Sequence, residues 1–372
     1  MRFRKPVVLI TARVHPAETA ASHAMVGVLK FLTSKQDLRA YLLRQMFVFM
    51  VVPMINVDGV FKGHFRMDTF GNNLNRHYID PDAEKHPAVY AIKSLAEHLQ
   101  KDRRLTFYFD LHAHNAKKGC FFYGNAINDF VDQVESQVFC KLFAQNCKHF
   151  EYESCNFSMK HMKARDRFED LTKEGCGRVV MHKLTGIIHS FSLECGLISS
   201  NQLNHLPEPS NPEFRVGDLG FEKDAIEDNN DPLYNGSEPP FYTPQIYENV
   251  GKNLLVSILD TFDKNPYNRV YSSELKTMQM LRRTTAFDVF HNADRFRMFE
   301  RFTFNKVKNI NELMKQNFKV KFDYNRIFNF HDTELLKTVE WPSNVPGLCK
   351  EPARTQSPKK GRRNDNLYTG NS

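Results

Sequence analysis

The chain has 372 residues, 41% of them hydrophobic and 25% charged, which suits one large globular domain, alone or with a modest appendage, and excludes a wholly disordered chain. No run approaches the roughly 18 to 20 apolar residues of a membrane-spanning helix, and the opening stretch carries Arg13, His15 and Glu18 where a secretory leader would be apolar. The 51 basic and 43 acidic residues leave a net charge of +8, which points to an acidic partner without naming it, while seven scattered cysteines suit reduced thiols in an intracellular protein.

In chain order, PVVLITARV reads as a buried strand, too continuous in apolar residues for a half-exposed one. Glu18 to Leu32 follows with Ala21, Met25, Val28, Leu29 and Leu32 at helical spacing, then a polar break. MFVFMVVPMINV is read as a second buried strand. Asn-x-Asp-Gly after it reads as a turn, by Asx hydrogen bonding and a glycine free to take positive φ. Pro87 to Leu99 is a helix with proline in its first turn, where the missing N–H costs little. LTFYFDLHA and CFFYG are further strands, Val131 to Cys147 a helix, and GIIHSFSLEC a late strand. Strands alternating with helices predict an α/β fold: a mixed, largely parallel sheet flanked by helices, with ligand sites at the carboxyl ends of strands.

Residues 201–242 change character, with Pro, Asn and acidic residues and few apolar runs, and read as a long irregular insertion within a domain spanning 1–265. A helix over about Thr243 to Phe262 closes that domain. Residues 266–345 are Phe-rich, basic and weakly patterned, and read as a helical or irregular accessory region. The tail, 346–372, has Lys350, Arg354, Lys359, Lys360, Arg362 and Arg363 against Glu351 and Asp365, so half the excess positive charge sits in a segment with little to bury. SPKKGRR within it fits either a solvated terminus or a nuclear-localisation or polyanion-binding patch.

The residues that could do chemistry cluster at strand ends. His15 and Glu18 follow the first strand and could turn a nitrogen and a carboxylate to one point, as a metal requires. H-x-x-E arises about once by chance in a chain of this size, so taken alone the motif reads first as a surface helix start with a capping Glu. In FDLHAH, Asp110 and His112 share a strand face, as do His112 and His114. One His there would complete the two-His, one-Glu set that leaves zinc a position for water, with Asp110 orienting the imidazole. Glu194, ending an apolar run in FSLEC, is placed to act as a general base. Arg66, Asn75 and Arg76 supply donors for a carboxylate or an oxyanion.

In this order, HPAET, NVDG, NLNRHY, DLHAH, EGCGRV and GIIHSFSLEC resemble the zinc metallocarboxypeptidases, and among them the cytosolic carboxypeptidases that trim glutamate from tubulin. The resemblance covers about residues 5–200 and the helix near 243–263, and nothing beyond about 266. Carried over, it implies that His15, Glu18 and His112 hold one Zn2+ per chain and that Glu194 is the catalytic glutamate. It further implies that Arg66 polarises the scissile carbonyl, that Asn75 and Arg76 hold the substrate's terminal carboxylate, and that Arg178 partners an acidic side chain. His114 falls outside the set and is expected to be structural or to support a ligand.

Two motifs depart from the family pattern: Val57 stands where Asn-Pro-Asp-Gly has proline, and SFSLE replaces SYTLE. Cytosolic members also carry an amino-terminal β-sandwich domain, and this sequence opens almost on the strand leading to His15. That domain and one or two early strands are therefore expected to be absent, leaving an open sheet edge. The implied function is removal of glutamate from glutamylated carboxyl-terminal tails, tubulin's above all, in the cytoplasm, at microtubules or also in the nucleus. The implied partners are glutamate-rich tails, which suit the net charge better than nucleic acid or a membrane. The alternatives are an inactive binder of acidic tails and a small-substrate amidohydrolase or deacylase.

Overall fold

The computed structural model of the chain describes residues 5–166, 170–210, 232–234, 236 and 238–296. Much of the expected insertion, the accessory region past residue 296 and the basic tail lie outside these residues.

Side chains alternate across a strand, so a strand apolar at every position can feed two layers at once. The strands β1 (Val7–Ala12), β2 (Val48–Val52), β3 (Leu105–His114), β4 (Cys120–Tyr123) and β5 (His189–Gly196) form one sheet in the order β2-β1-β3-β5-β4. Every pairing is parallel except β4 with β5. This is the mixed, largely parallel sheet that the alternating pattern predicts. Val8 and Ile10 of β1, Phe107 and Phe109 of β3 and Phe191 of β5 face one helical layer. That layer comprises α1 (Thr19–Thr33), α2 (Leu38–Met46), α5 (Phe130–Asn146), α8 (Pro244–Thr261) and α9 (Met278–Phe296). Val7 and Leu9, with Leu105 and Tyr108, face the opposite layer of α4 (Pro87–Lys101) and α7 (Gly177–Thr185). Each large side chain sealed in this way contributes about 2 kcal/mol. Short helices α3 (Val57–Phe61) and α6 (Met159–Met162) lie in the connections.

Local chemistry sets the helix ends. Asp129 accepts from the Asp132 amide to cap α5, and Thr243 accepts from the Ile246 amide at α8, whose first residue is proline. Gly186 ends α7 with φ of 73°. The crossing of α1 and α8 depends on two glycines. A Cβ on Gly27 would stand 1.9 Å from the Glu248 carbonyl oxygen, and one on Gly251 would stand 1.9 Å from that of Ala24. Beyond α8, α9 packs on α5 through Leu281, Ala286 and Val289, and Arg282 Nε donates to the buried Glu135 carboxylate at 2.6 Å.

Three expectations change. VFMVV is half-buried throughout, because the strand order puts β2 at an edge of the described sheet rather than in its middle. Asn-x-Asp-Gly is the start of helix α3, not a turn with a positive-φ glycine. Asn56 caps it by accepting from the Gly59 amide at 3.0 Å, and Gly59 is needed because a Cβ would meet Asn56 Oδ1 at 2.5 Å and Pro16 Cγ at 2.7 Å. The first strand stops at Ala12, since Arg13 takes φ of 58°. Arg13 is held there by its own guanidinium, which donates to the Pro16 carbonyl and to Ser22.

Candidate active site

The three parallel strands β1, β3 and β5 end on the same side of the sheet, and the chemistry-bearing residues sit at those ends. The left-handed Arg13 turns the chain out of β1, so that His15 faces back across the sheet end. Glu18 stands at the start of α1 and makes no capping bond. Its carboxylate reaches inward instead: Oε1 lies 2.7 Å from His15 Nδ1 and Oε2 lies 2.9 Å from His112 Nδ1. One ligand atom from each of His15, Glu18 and His112 lies within 4.8 Å of the others.

Each imidazole is anchored at its far nitrogen. His15 Nε2 lies 3.1 Å from Asn73 Oδ1, and His112 Nε2 lies 2.7 Å from Asp110 Oδ2. Asp110 is itself fixed by Thr11, whose hydroxyl donates to Oδ1 at 2.7 Å. With Nε2–H given to an oxygen, Nδ1 of each ring is left turned toward Glu18. Two imidazole nitrogens and one carboxylate, anchored from behind, are a donor set that fits zinc with an open position. Burial alone would raise the Glu18 carboxyl, but His15 and His112 outweigh it and hold it below the usual range. His112 is pulled the other way: burial would lower it, and Asp110 and Glu18 together raise it well above an ordinary imidazole.

Glu194 faces the same pocket from β5, as the register partner of His112. Unlike Glu18 and Asp110, it has no hydrogen-bond partner among the described residues. Enclosure pushes its carboxyl up to about 7, with His112 opposing and Glu18 adding to the shift. Around these four residues lies a cavity of about 240 Å³ that Arg66, Asn75, Arg76, His114 and Arg178 also line.

Arg66 Nη1 comes to 3.5 Å from His15 Nδ1. Asn75 Oδ1 accepts from the Gly177 amide at 3.0 Å, which leaves its Nδ2 directed toward His112, 3.4 Å away. Arg76 is held on two sides. Asp166 Oδ2 accepts from its Nε at 2.9 Å and its Nη2 at 2.7 Å, and the Asn75 carbonyl accepts from Nη1 at 2.6 Å. Of the five guanidinium N–H groups, one on each terminal nitrogen is left over, a pair suited to a carboxylate. His114 serves a turn, its Nδ1 accepting from the amides of Ala116 and Lys117.

The structure thus brings together His15, Glu18, His112, Arg66, Asn75, Arg76, Arg178 and Glu194 around one cavity. Sequence reasoning missed Asn73, Asp166, Tyr123, His161 and Lys173. The glycines of EGCGRV matter because backbone and ring atoms crowd them. A Cβ on Gly175 would lie 2.1 Å from the Arg76 carbonyl oxygen, and one on Gly177 would lie 2.5 Å from the Tyr108 hydroxyl. Paired glycines beside a cationic motif were the available signal.

A family model described as zinc carboxypeptidase matches residues 2–170, a range that ends before Arg178 and Glu194. Cytosolic carboxypeptidase-like protein 5 of Danio rerio is 31% identical over 75% of this chain and 41% of its own length. The Homo sapiens protein of that name is 31% identical over 75% of this chain and 39% of its own. Cytosolic carboxypeptidase 6 of Mus musculus is 39% identical over 43% of this chain and 30% of its own. The chain therefore spans about two fifths of the length of the first of these relatives. Among solved structures, a metallo-carboxypeptidase from Burkholderia cenocepacia has the same fold, with TM-score 0.50 and 22% identity over 70% of this chain and 58% of that one.

Proposed function

This chain carries a domain of the zinc carboxypeptidase family, and on that premise we propose that it hydrolyses the last peptide bond of glutamate-rich protein tails, releasing glutamate. The observation that carries the proposal is the convergence, at three strand ends, of a His-Glu-His donor set, an unpartnered glutamate and an arginine with two N–H groups to spare.

In this reading His15, Glu18 and His112 hold one zinc ion. Zinc, when bound there, supplies Lewis-acid polarisation of a carbonyl and acidifies water. Glu194 takes the proton from the attacking water and later returns it to the leaving amine, a role suited by a carboxyl near neutrality. Arg66, beside His15, steadies the developing oxyanion. The free N–H groups of Arg76 and the Nδ2 of Asn75 hold the terminal carboxylate, so that the last peptide bond and no other reaches Glu194. Arg178 pairs with an acidic side chain on the released residue, where an apolar pocket would leave that charge unpaired.

Glutamylated tubulin tails are the substrates proposed first, because the motifs resemble those of the cytosolic carboxypeptidases that trim glutamate from tubulin, proteins of that name match this chain, and its net charge is +8. The same relatives, by name, make the cytoplasm the proposed compartment. Among the described residues no helix is long and apolar enough to cross a membrane. The test is glutamate release from glutamylated tubulin by the zinc-loaded chain. Glu194→Gln should abolish release while zinc content, measured by mass spectrometry, stays the same. Undiminished release by that variant would remove Glu194 from the base role.

A further inference from the structure

The same pocket is lined by Tyr123, His161, Lys173 and Arg178, of which only the last has been given a part. The His161 ring stacks on Tyr123 with centroids 4.1 Å apart. Its two nitrogens face two cations: Nδ1 is 3.3 Å from Arg178 Nη2, and Nε2 is 3.0 Å from Lys173 Nζ. Guanidinium and ammonium groups only donate, and a neutral imidazole has one accepting nitrogen and one N–H. His161 can therefore satisfy one of these cations while it sets an N–H against the other. Protonating the ring makes matters worse: burial first, then Arg178 and Lys173, push it down to about 2.

Neither cation forms an ion pair with a described carboxylate; Glu194, across the pocket, is the carboxylate whose charge reaches both. Arg178 is 3% exposed; its Nε donates to the Gly124 carbonyl at 3.1 Å and its Nη1 to Cys176 Sγ at 3.1 Å, which leaves one N–H on each terminal nitrogen. Lys173 makes no ion pair with a described carboxylate, and its Nζ and the Arg178 guanidinium both stand over the Tyr123 ring, at 5.9 Å and 5.6 Å. A buried guanidinium, an ammonium and a misdirected imidazole N–H, with no described carboxylate hydrogen-bonded to any of them, form an arrangement that a carboxylate completes.

We propose that Lys173 and His161 join Arg178 in a two-cation subsite for the side-chain carboxylate of the released residue, with His161 as the neutral spacer between the cations. One carboxylate oxygen meets Arg178 and the other meets Lys173, which relieves the N–H that His161 otherwise turns on one of them. Glutamine in the same place would set its amide N–H groups against two cations, so the subsite separates acid from amide by charge. Lys173 is then a specificity-determining residue and His161 a positioning residue. The inference rests on the carboxypeptidase reading for the register of the bound residue, and its test does not depend on turnover.

The test is calorimetric binding of free L-glutamate and L-glutamine to the full chain. Wild type should prefer L-glutamate by about tenfold or more, the scale of a desolvated charge-assisted bond. Lys173→Met should reduce that preference about tenfold, and Lys173→Arg should restore most of it. His161→Phe, which keeps the stack on Tyr123 and removes both nitrogens, should also erode it. No preference in wild type, or an unchanged preference in Lys173→Met, overturns the proposal. A chain that cleaves no peptide yet shows the Lys173-dependent preference supports the subsite and counts against the proposed reaction.

Discussion

His112 and Glu194 stand directly opposite each other on the neighbouring parallel strands β3 and β5. Register partners share a face of the sheet, so the pairing alone puts a carboxylate beside the candidate metal ligand without any loop to position it. Asp110, two residues before His112 on the same face, then anchors the imidazole from behind. A candidate ligand, its anchor and the proposed base are thus fixed by β geometry.

Asp110→Asn should weaken zinc binding by about 10–100-fold, as removal of an anchoring carboxylate behind a ligating histidine does. The amide would compete as a donor with His112 Nε2–H and loosen the ring. Competition with a chromophoric chelator measures the affinity. An unchanged constant would mean that Asp110 has no part in orienting His112.

Gly175→Ala should strike the proposed carboxylate clamp and leave the proposed metal ligands alone. The added Cβ would lie 2.1 Å from the Arg76 carbonyl oxygen, so that backbone must move. The expected result is a KM raised on the order of tenfold to a hundredfold for glutamate-ending peptides, with zinc content unchanged. A normal KM would show that Arg76 tolerates the shift or does not bind substrate.

Gly251→Ala should destabilise the fold by about 1–3 kcal/mol through overpacking, since its Cβ would press on the Ala24 carbonyl oxygen across the α1–α8 crossing. Urea unfolding followed by circular dichroism reads the difference. A midpoint equal to wild type would mean that the helices separate at no cost.

Asp260 gives stability a pH dependence away from the pocket. Burial drives its carboxyl up to about 7, against the Nδ2–H groups donated by Asn146 and Asn265. Between the ordinary aspartate value near 4 and about 7, the folded chain keeps a proton that the unfolded chain has released. Stability contributed by this group is therefore full below that window and is lost as pH rises through it. Urea midpoints from pH 4 to 8 should fall more steeply in wild type than in Asp260→Asn, and parallel profiles would rule out this source.

Much of the layout was legible because apolar runs and helical spacing report burial locally. The five strands, the helices at 19–33, 87–101, 130–146 and 244–261, and the strand-end positions of His15, His112 and Glu194 follow from such patterns. What escaped notice depends on pairing. VFMVV is as apolar as a central strand, and only the sheet order makes it an edge. Helix α2, beginning at Leu38, has a mixed sequence that gave no clear period. Asp166 reaches Arg76 across 90 positions, and Lys173 has meaning only beside His161 and Arg178. No spacing rule connects such residues; the fold does.

His112 and Glu18, which meet at 2.9 Å, are 94 positions apart in the chain. An unfolded chain has no preformed place where their donors and His15 gather, so any ion they hold belongs to the folded state alone. Mass action then ties folding to metal supply, because each rise in free zinc above its dissociation constant shifts the chain further from unfolding. The anchored cluster at the strand ends would serve two purposes at once: it would prepare chemistry, and it would make the lifetime of the whole chain against proteases a function of the surrounding zinc concentration.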